Sequence, residues 1–156
     1  MPCPPSPEAE IPGLDDQLCF ATYSAGLAFN RVYRHQLDRL GLTFPQYLVM
    51  LALWDRDGVT IGQLGEKLFL ETNTLTPMLK RLESMGLLSR QRDSADERRV
   101  LISLTDKGRD MHSGVGEIMR CVAEAAGFPR DKLTSLTRDM QLLRQHLNDY
   151  AAKASR

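Results

Sequence analysis

The sequence predicts a mainly α-helical fold with one small β-hairpin, on three observations. Apolar residues recur at helical spacing through most of the chain, as in Leu133, Leu136, Met140, Leu143 and Leu147. Glycines stand where those patterns stop, at Gly41, Gly58, Gly86 and Gly127. The segment 61–105, IGQLGEKLFLETNTLTPMLKRLESMGLLSRQRDSADERRVLISLT, then reads as a short helix, a turn, a second helix with a polar leading edge and an arginine-rich hairpin. That order suits a winged helix-turn-helix, in which the second helix lies in a DNA major groove and the hairpin reaches a neighbouring groove or the backbone.

The elements follow in order. Residues 1–13 are proline-rich, end in Gly13 and read as a disordered arm. A helix is expected over residues 14–40, with Leu18, Tyr23, Leu27, Val32 and Leu37 among its apolar positions and Gly41 as its stop. Thr43 is an N-cap for a second helix, Pro45 sits in its first turn, and Asp57-Gly58 closes it. Third and fourth helices are expected over 61–68 and 72–85. Strands at 87–90 and 100–104 flank a polar loop. Thr105 caps a long helix reaching about residue 126, and a last amphipathic helix runs over 131–150, leaving 151–156 as a tail. The winged core spans about 43–104. The helices at 14–40 and 105–150 lie outside it and exceed what so small a core needs, so they are expected to pack against the same helices of a second subunit. An isologous homodimer presents two recognition helices to a pseudo-palindromic DNA site.

Composition sets limits. Hydrophobic residues are 42% and charged residues 26% of the 156, ordinary for a folded chain, and the formal net charge is zero. Neutrality argues against a non-specific or architectural DNA binder. It leaves room for a local basic footprint, because six basic residues face four acidic ones between Lys80 and Arg99. No signal peptide and no membrane span is expected. Cys3, Cys19 and Cys121 are widely spaced and odd in number, so they form neither a zinc pattern nor a secreted disulfide framework. A reducing cytoplasm is the natural compartment. No cofactor, no metal and no enzymatic activity is expected.

The fourth helix crowds Thr72, Asn73, Thr74 and Thr76 into its first turns, above an inward face of Leu75, Met78, Leu79 and Leu82. Asn can pair with adenine in a bidentate manner, and Thr can bond a base edge or touch a thymine methyl. Lys80 and Arg81, further along, suit phosphate. The plainer alternative is that Thr72 caps the helix and the others are solvated. In the hairpin, Arg90, Arg92 and Arg98 are candidate DNA contacts. Asp96 lies two residues before Arg98, where it can hold the guanidinium extended for a narrow minor groove. A weak surface ion pair is the alternative there.

With LTPMLKRLESMGLLSR, the wing RDSADERRV and the following LTDKG, the chain resembles the MarR family of winged-helix repressors over most of residues 14–150. The resemblance implies an obligate dimer, with Arg98 as the wing-tip arginine and Asp96 as its buttress. The N-terminal segment DDQLCFATYSAGLAFNRVYRHQLDRLGLTFPQYLVMLALW is similar to the OhrR-type branch, which senses organic hydroperoxides. The resemblance places Cys19 as the peroxide-reactive cysteine and Tyr33 as the tyrosine that hydrogen-bonds its thiolate, the form that attacks a peroxide to give a sulfenic acid. Phe44 is a departure: the branch keeps a second tyrosine there. Tyr47, one turn later, is the candidate substitute. Cys121 matches the resolving cysteine that some members use to form a disulfide to the partner subunit; its alternative reading is a small buried hydrophobe.

The implied function is a repressor that leaves operator DNA when an organic hydroperoxide oxidises Cys19. The alternatives are a MarR-like repressor released by a small aromatic ligand, with Cys19 only lining the pocket, and a thiol peroxidase. The chain offers no catalytic setting for the latter beyond Cys19.

Overall fold

The computed structural model describes residues 12–94, 96 and 99–154. Two compact units divide the chain: Asn30–Arg120, and the segments up to Phe29 and from Cys121 onward. Helices α1 (Leu18–Leu37) and α6 (Val115–Ala126) contribute residues to both.

The central unit is built around α2, Phe44–Asp55. Its start is fixed by a capping box, in which Thr43 Oγ1 accepts from the Gln46 N–H and Gln46 Oε1 accepts from the Thr43 N–H, with Pro45 in the first turn. Tyr47, Val49, Met50 and Leu53 are then completely buried. A second capping box, Thr60 with Gln63, starts α3, Ile61–Leu68. After a short turn comes α4, Thr72–Ser84, whose Leu75, Leu79 and Leu82 recur at helical spacing and are fully buried. Each such leucine contributes roughly 2 kcal/mol of burial. Gly86 in the left-handed region (φ 72°) ends this stretch, and the Leu87 N–H returns to the Leu82 carbonyl.

Strands β2 (Leu88–Arg92) and β3 (Val100–Leu104) pair antiparallel from Leu88↔Leu104 to Arg92↔Val100. The sequence reading omits one strand, β1 (Val59–Thr60), which pairs with the other edge of β3 to give the order β1-β3-β2. Two residues carry no period, so nothing local marks them as a strand.

Two expected helices are interrupted. The stretch expected over 14–40 is a 3-10 turn (Leu14–Asp16), α1, and a second 3-10 turn (Asp38–Leu40) closed by Gly41 at φ 65°. The stretch expected from Thr105 to residue 126 is α5 (Asp106–Asp110), a 3-10 turn (Met111–Gly114) and then α6. Gly108, Gly114 and Gly116 are poor helix formers. Gly108 is also needed where it stands, because a Cβ there would run into the Leu87 carbonyl. Thr105 caps α5 as expected, accepting from the Gly108 N–H, and its hydroxyl donates to the Gly86 carbonyl.

In the other unit, α7 runs from Arg130 to Ala154, longer at its end than the sequence pattern suggests, and buries no residue. Leu142, Leu147 and Tyr150 on α7 are exposed, as are Leu18, Tyr23 and Leu27 in the first part of α1. No described helix is long and apolar enough to cross a membrane.

Candidate nucleic-acid interface and thiol site

The buried leucine face of α4 fixes the helix's rotation about its own axis. Thr72, Asn73, Thr74, Lys80 and Arg81 are thereby held on the exposed side, with Thr76 half-buried. Two local hydrogen bonds order the leading edge. The Thr76 hydroxyl donates to the Thr72 carbonyl at 2.7 Å, and the Thr74 hydroxyl donates to Asn73 Oδ1 at 3.3 Å. Each hydroxyl oxygen still offers lone pairs and the Asn73 amide still offers N–H groups, the mixed complement needed at base edges. The N-cap position is Glu71, not Thr72, and Glu71 makes no side-chain cap bond.

The wing is tied to this helix by a contact that the sequence reading missed. Arg90 Nε donates to Glu83 Oε2 at 2.8 Å, joining β2 to the last turns of α4. Arg90 is therefore engaged within the protein, while Arg92 at the end of β2 is exposed. At the hairpin tip the Asp96 carbonyl accepts from the Arg99 N–H, and the Arg99 carbonyl accepts from the Asp93 N–H, both at 2.9 Å. Arg99 Nε lies 4.0 Å from Asp93 Oδ2. The expected Asp96–Arg98 relationship falls on Arg98, which lies outside the described residues.

Asp57, read from sequence only as part of a turn, is a hub. Its Oδ1 accepts from the N–H groups of Gly58 (2.9 Å) and Leu104 (2.8 Å), and its Oδ2 pairs with Arg109 Nη1 at 2.9 Å. Lys107 Nζ donates to the Met85 carbonyl, and Trp54 Nε1 donates to the Gly108 carbonyl. The end of α2, the end of α4, β3 and α5 are thus locked together by these bonds. Partners 47 and 52 positions away along the chain leave no local trace.

Cys19 is exposed in the first turn of α1, and its thiol donates to Gln17 Oε1 at 3.5 Å. Gln17 is itself anchored by its Nε2 to the Pro12 carbonyl. Cys121 is half-buried on α6, and both thiols are free. Cys3 lies outside the described residues.

Tyr33, Phe44 and Tyr47 form one aromatic cluster. Tyr33 stacks on Phe44 with centroids 4.3 Å apart and lies 5.6 Å from Tyr47, which meets Trp54 edge-on at 6.3 Å. Burial pushes the Tyr33 phenol above its ordinary value. Burial, with the nearby Tyr33 adding to it, pushes Tyr47 up to about 12. Both are therefore neutral O–H donors at physiological pH. Tyr47 is wholly buried, and its hydroxyl has no hydrogen-bond partner among the described residues. A buried hydroxyl left in that state costs about 1–3 kcal/mol.

The sequence model of the family described as "Transcriptional regulator SarA/Rot" matches residues 31–115, more than half of the chain. The chain is 44% identical to the HTH-type transcriptional regulator TtmR of Methylorubrum extorquens over 135 residues, covering 86% of this chain and 69% of that protein. It is 48% identical to the organic hydroperoxide resistance transcriptional regulator of Bacillus subtilis over 95 residues, 61% of this chain and 65% of that one. The solved structure of reduced AbfR bound to DNA superposes with a TM-score of 0.71 at 35% identity, covering 86% and 94% of the two chains. A disulfide-formed AbfR structure gives 0.62 at 36% identity, covering 83% and 91%. The fold of these relatives and the geometry of α4 and its hairpin agree, and the chain belongs to the MarR-like SarA/Rot family of winged-helix transcriptional regulators.

Proposed function

We propose that this regulator is a homodimeric repressor that binds a pseudo-palindromic operator and is released when an organic hydroperoxide oxidises Cys19. The observation that carries this reading is the accessible free thiol of Cys19 in the first turn of α1. It is supported by the likeness to the hydroperoxide resistance regulator and to a protein solved both reduced on DNA and with a disulfide formed.

The dimer rests on two arguments. The exposed Leu18, Tyr23 and Leu27 of α1 and Leu142, Leu147 and Tyr150 of α7 are more apolar surface than a monomer ordinarily leaves to water. Cys19 and Tyr33 also stand fourteen positions apart on one helix, a rise of about 21 Å, so a phenol that holds the thiolate comes from a second copy. Tyr33 is that donor. Tyr47 is the candidate for the second hydroxyl that Phe44 lacks; its O–H is buried beside Tyr33, so it serves the thiolate only where the aromatic cluster opens to admit it.

In the chemical step the thiolate sulfur attacks the distal oxygen of ROOH and the O–O bond breaks. The alkoxide takes a proton and leaves as ROH, and sulfur, oxidised by two electrons, becomes a sulfenic acid. Attack by the thiol of the partner's Cys121 then forms the S–S bond and releases water. Strain or cross-linking at the interface moves the two recognition helices out of match with successive major grooves. Contact with DNA is assigned to Thr72, Asn73, Thr74, Thr76, Lys80, Arg81, Arg92 and, outside the described residues, Arg98.

The test is operator release by cumene hydroperoxide, read beside a non-reducing gel. Wild type should dissociate and give a dimer band that needs both Cys19 and Cys121. Release of a Cys19→Ser variant by the same oxidant would sink the thiol mechanism and favour a repressor controlled by a small aromatic ligand.

A further inference from the structure

Phe69 is the single described residue other than glycine with a positive φ, at φ 57° and ψ 40°. It ends α3, where a left-handed residue closes the helix and glycine is the usual occupant because it has no Cβ to crowd the following carbonyl. The conformation is firmly held. Both the Phe69 and the Leu70 N–H groups return to the Gly65 carbonyl, the latter at 3.0 Å. Gly65 is packed so closely under this turn that a Cβ on it would lie 2.7 Å from the Leu70 carbonyl oxygen. A large aromatic ring thus occupies an unfavourable backbone position, and burial does not compensate it, since Phe69 remains 58% exposed. Strain of this kind persists at sites that use it.

The location supplies the use. Phe69 stands three residues before Thr72, in the turn that leads directly into the polar edge of α4. That edge is otherwise made of short hydrogen-bonding groups, whereas phenylalanine can only make an apolar contact. In a major groove the apolar group on offer is the 5-methyl of thymine.

We propose that Phe69 is a specificity-determining DNA contact whose ring packs on a thymine methyl in each operator half-site. The proposal rests on the assignment of α4 as the DNA-reading helix and adds to it a contact from the preceding turn. Continuity with that helix favours duplex DNA over a protein partner as the occupant.

The probe is a duplex selected from a random-sequence library on the reduced wild-type dimer, bound by wild type, Phe69→Gly and Phe69→Asn. Both replacements tolerate a positive φ and remove the ring, so neither should lower the melting temperature. Each should weaken binding about fivefold or more, and the dependence of log K on log salt should keep its slope because no phosphate contact is lost. Lys80→Ala should flatten that slope. Replacing thymine by uracil, one position at a time, should weaken wild type at one position per half-site and leave the two variants indifferent there. Affinity within about twofold of wild type, or variants that keep the uracil sensitivity, overturns the proposal. If the wild-type dimer enriches no duplex at all, the reading of α4 fails first and takes this contact with it.

Discussion

Tyr33 lies against Phe44, ring centroids 4.3 Å apart and planes inclined by 21°. A hydroxyl added to Phe44 would stand beside the phenol assigned to the reactive thiol. Phe44→Tyr is therefore expected to speed oxidation of Cys19 by cumene hydroperoxide, and Tyr33→Phe to slow it about fivefold or more, the worth of one hydrogen bond of about 1 kcal/mol. Stopped-flow rates of thiol loss decide this; equal rates for Tyr33→Phe and wild type would remove Tyr33 from the mechanism.

Tyr47→Phe separates two uses of the unsatisfied hydroxyl. If that hydroxyl serves the partner's thiol, the variant oxidises several-fold more slowly while its thermal stability holds or rises by up to about 1 kcal/mol. A stability gain with an unchanged rate would show Tyr47 to be only a core residue.

The same residue sets an alkaline limit. The Tyr47 phenol ionises near 12 in the folded protein and near 10 when unfolded, so the folded state holds its proton longer. Its contribution is complete below about pH 10 and is lost as pH rises from 10 to 12, by up to roughly 2–3 kcal/mol. Urea midpoints across that window should fall more steeply for wild type than for Tyr47→Phe. Parallel curves would contradict the assignment.

Glu83 and Arg90 join α4 to the wing through one half-buried pair. A double-mutant cycle on unfolding with Glu83→Gln and Arg90→Ala is expected to return a coupling of about 1 kcal/mol, above the usual value for fully exposed pairs. A coupling indistinguishable from zero would mean that the pair does not hold the hairpin.

Gly108→Ala should destabilise the protein by more than about 2 kcal/mol, because the new methyl meets backbone at Leu87 and no side chain can move aside for it. Gly116→Ala, where a Cβ meets nothing within 4 Å, is the control and should be neutral or slightly stabilising. Equal melting temperatures for the two would refute the packing argument.

Most of the helical plan was legible because its signals are local. Thr43 and Thr105 cap where they were expected to, Gly41 and Gly86 stop what precedes them, and the leucine spacing of α4 names its buried face. The hairpin was legible for the same reason, and β3 begins and ends where its apolar run does. Features that depend on partners far along the chain were not. Asp57 looks like a turn residue until Leu104 and Arg109 arrive beside it, and Gly108 looks like any glycine in a helix until the Leu87 carbonyl closes over the place of its Cβ. In the candidate site, Cys19 and Tyr33 were named by resemblance, and Tyr47 by its place one turn after Phe44 on the same helix. That Tyr33 cannot serve the thiol of its own helix is a matter of helical rise, visible once α1 is known to be continuous.

Trp54 is the sole tryptophan of the chain, and its indole is hydrogen-bonded to the Gly108 carbonyl at 2.9 Å with the His112 ring 5.2 Å away. Those two neighbours flank the joint between α5 and the 3-10 turn that leads to α6. The protein thus carries a built-in fluorophore at that joint. Its emission intensity and wavelength give a label-free optical signal for any rearrangement there, readable in real time while oxidant is added to the DNA-bound form.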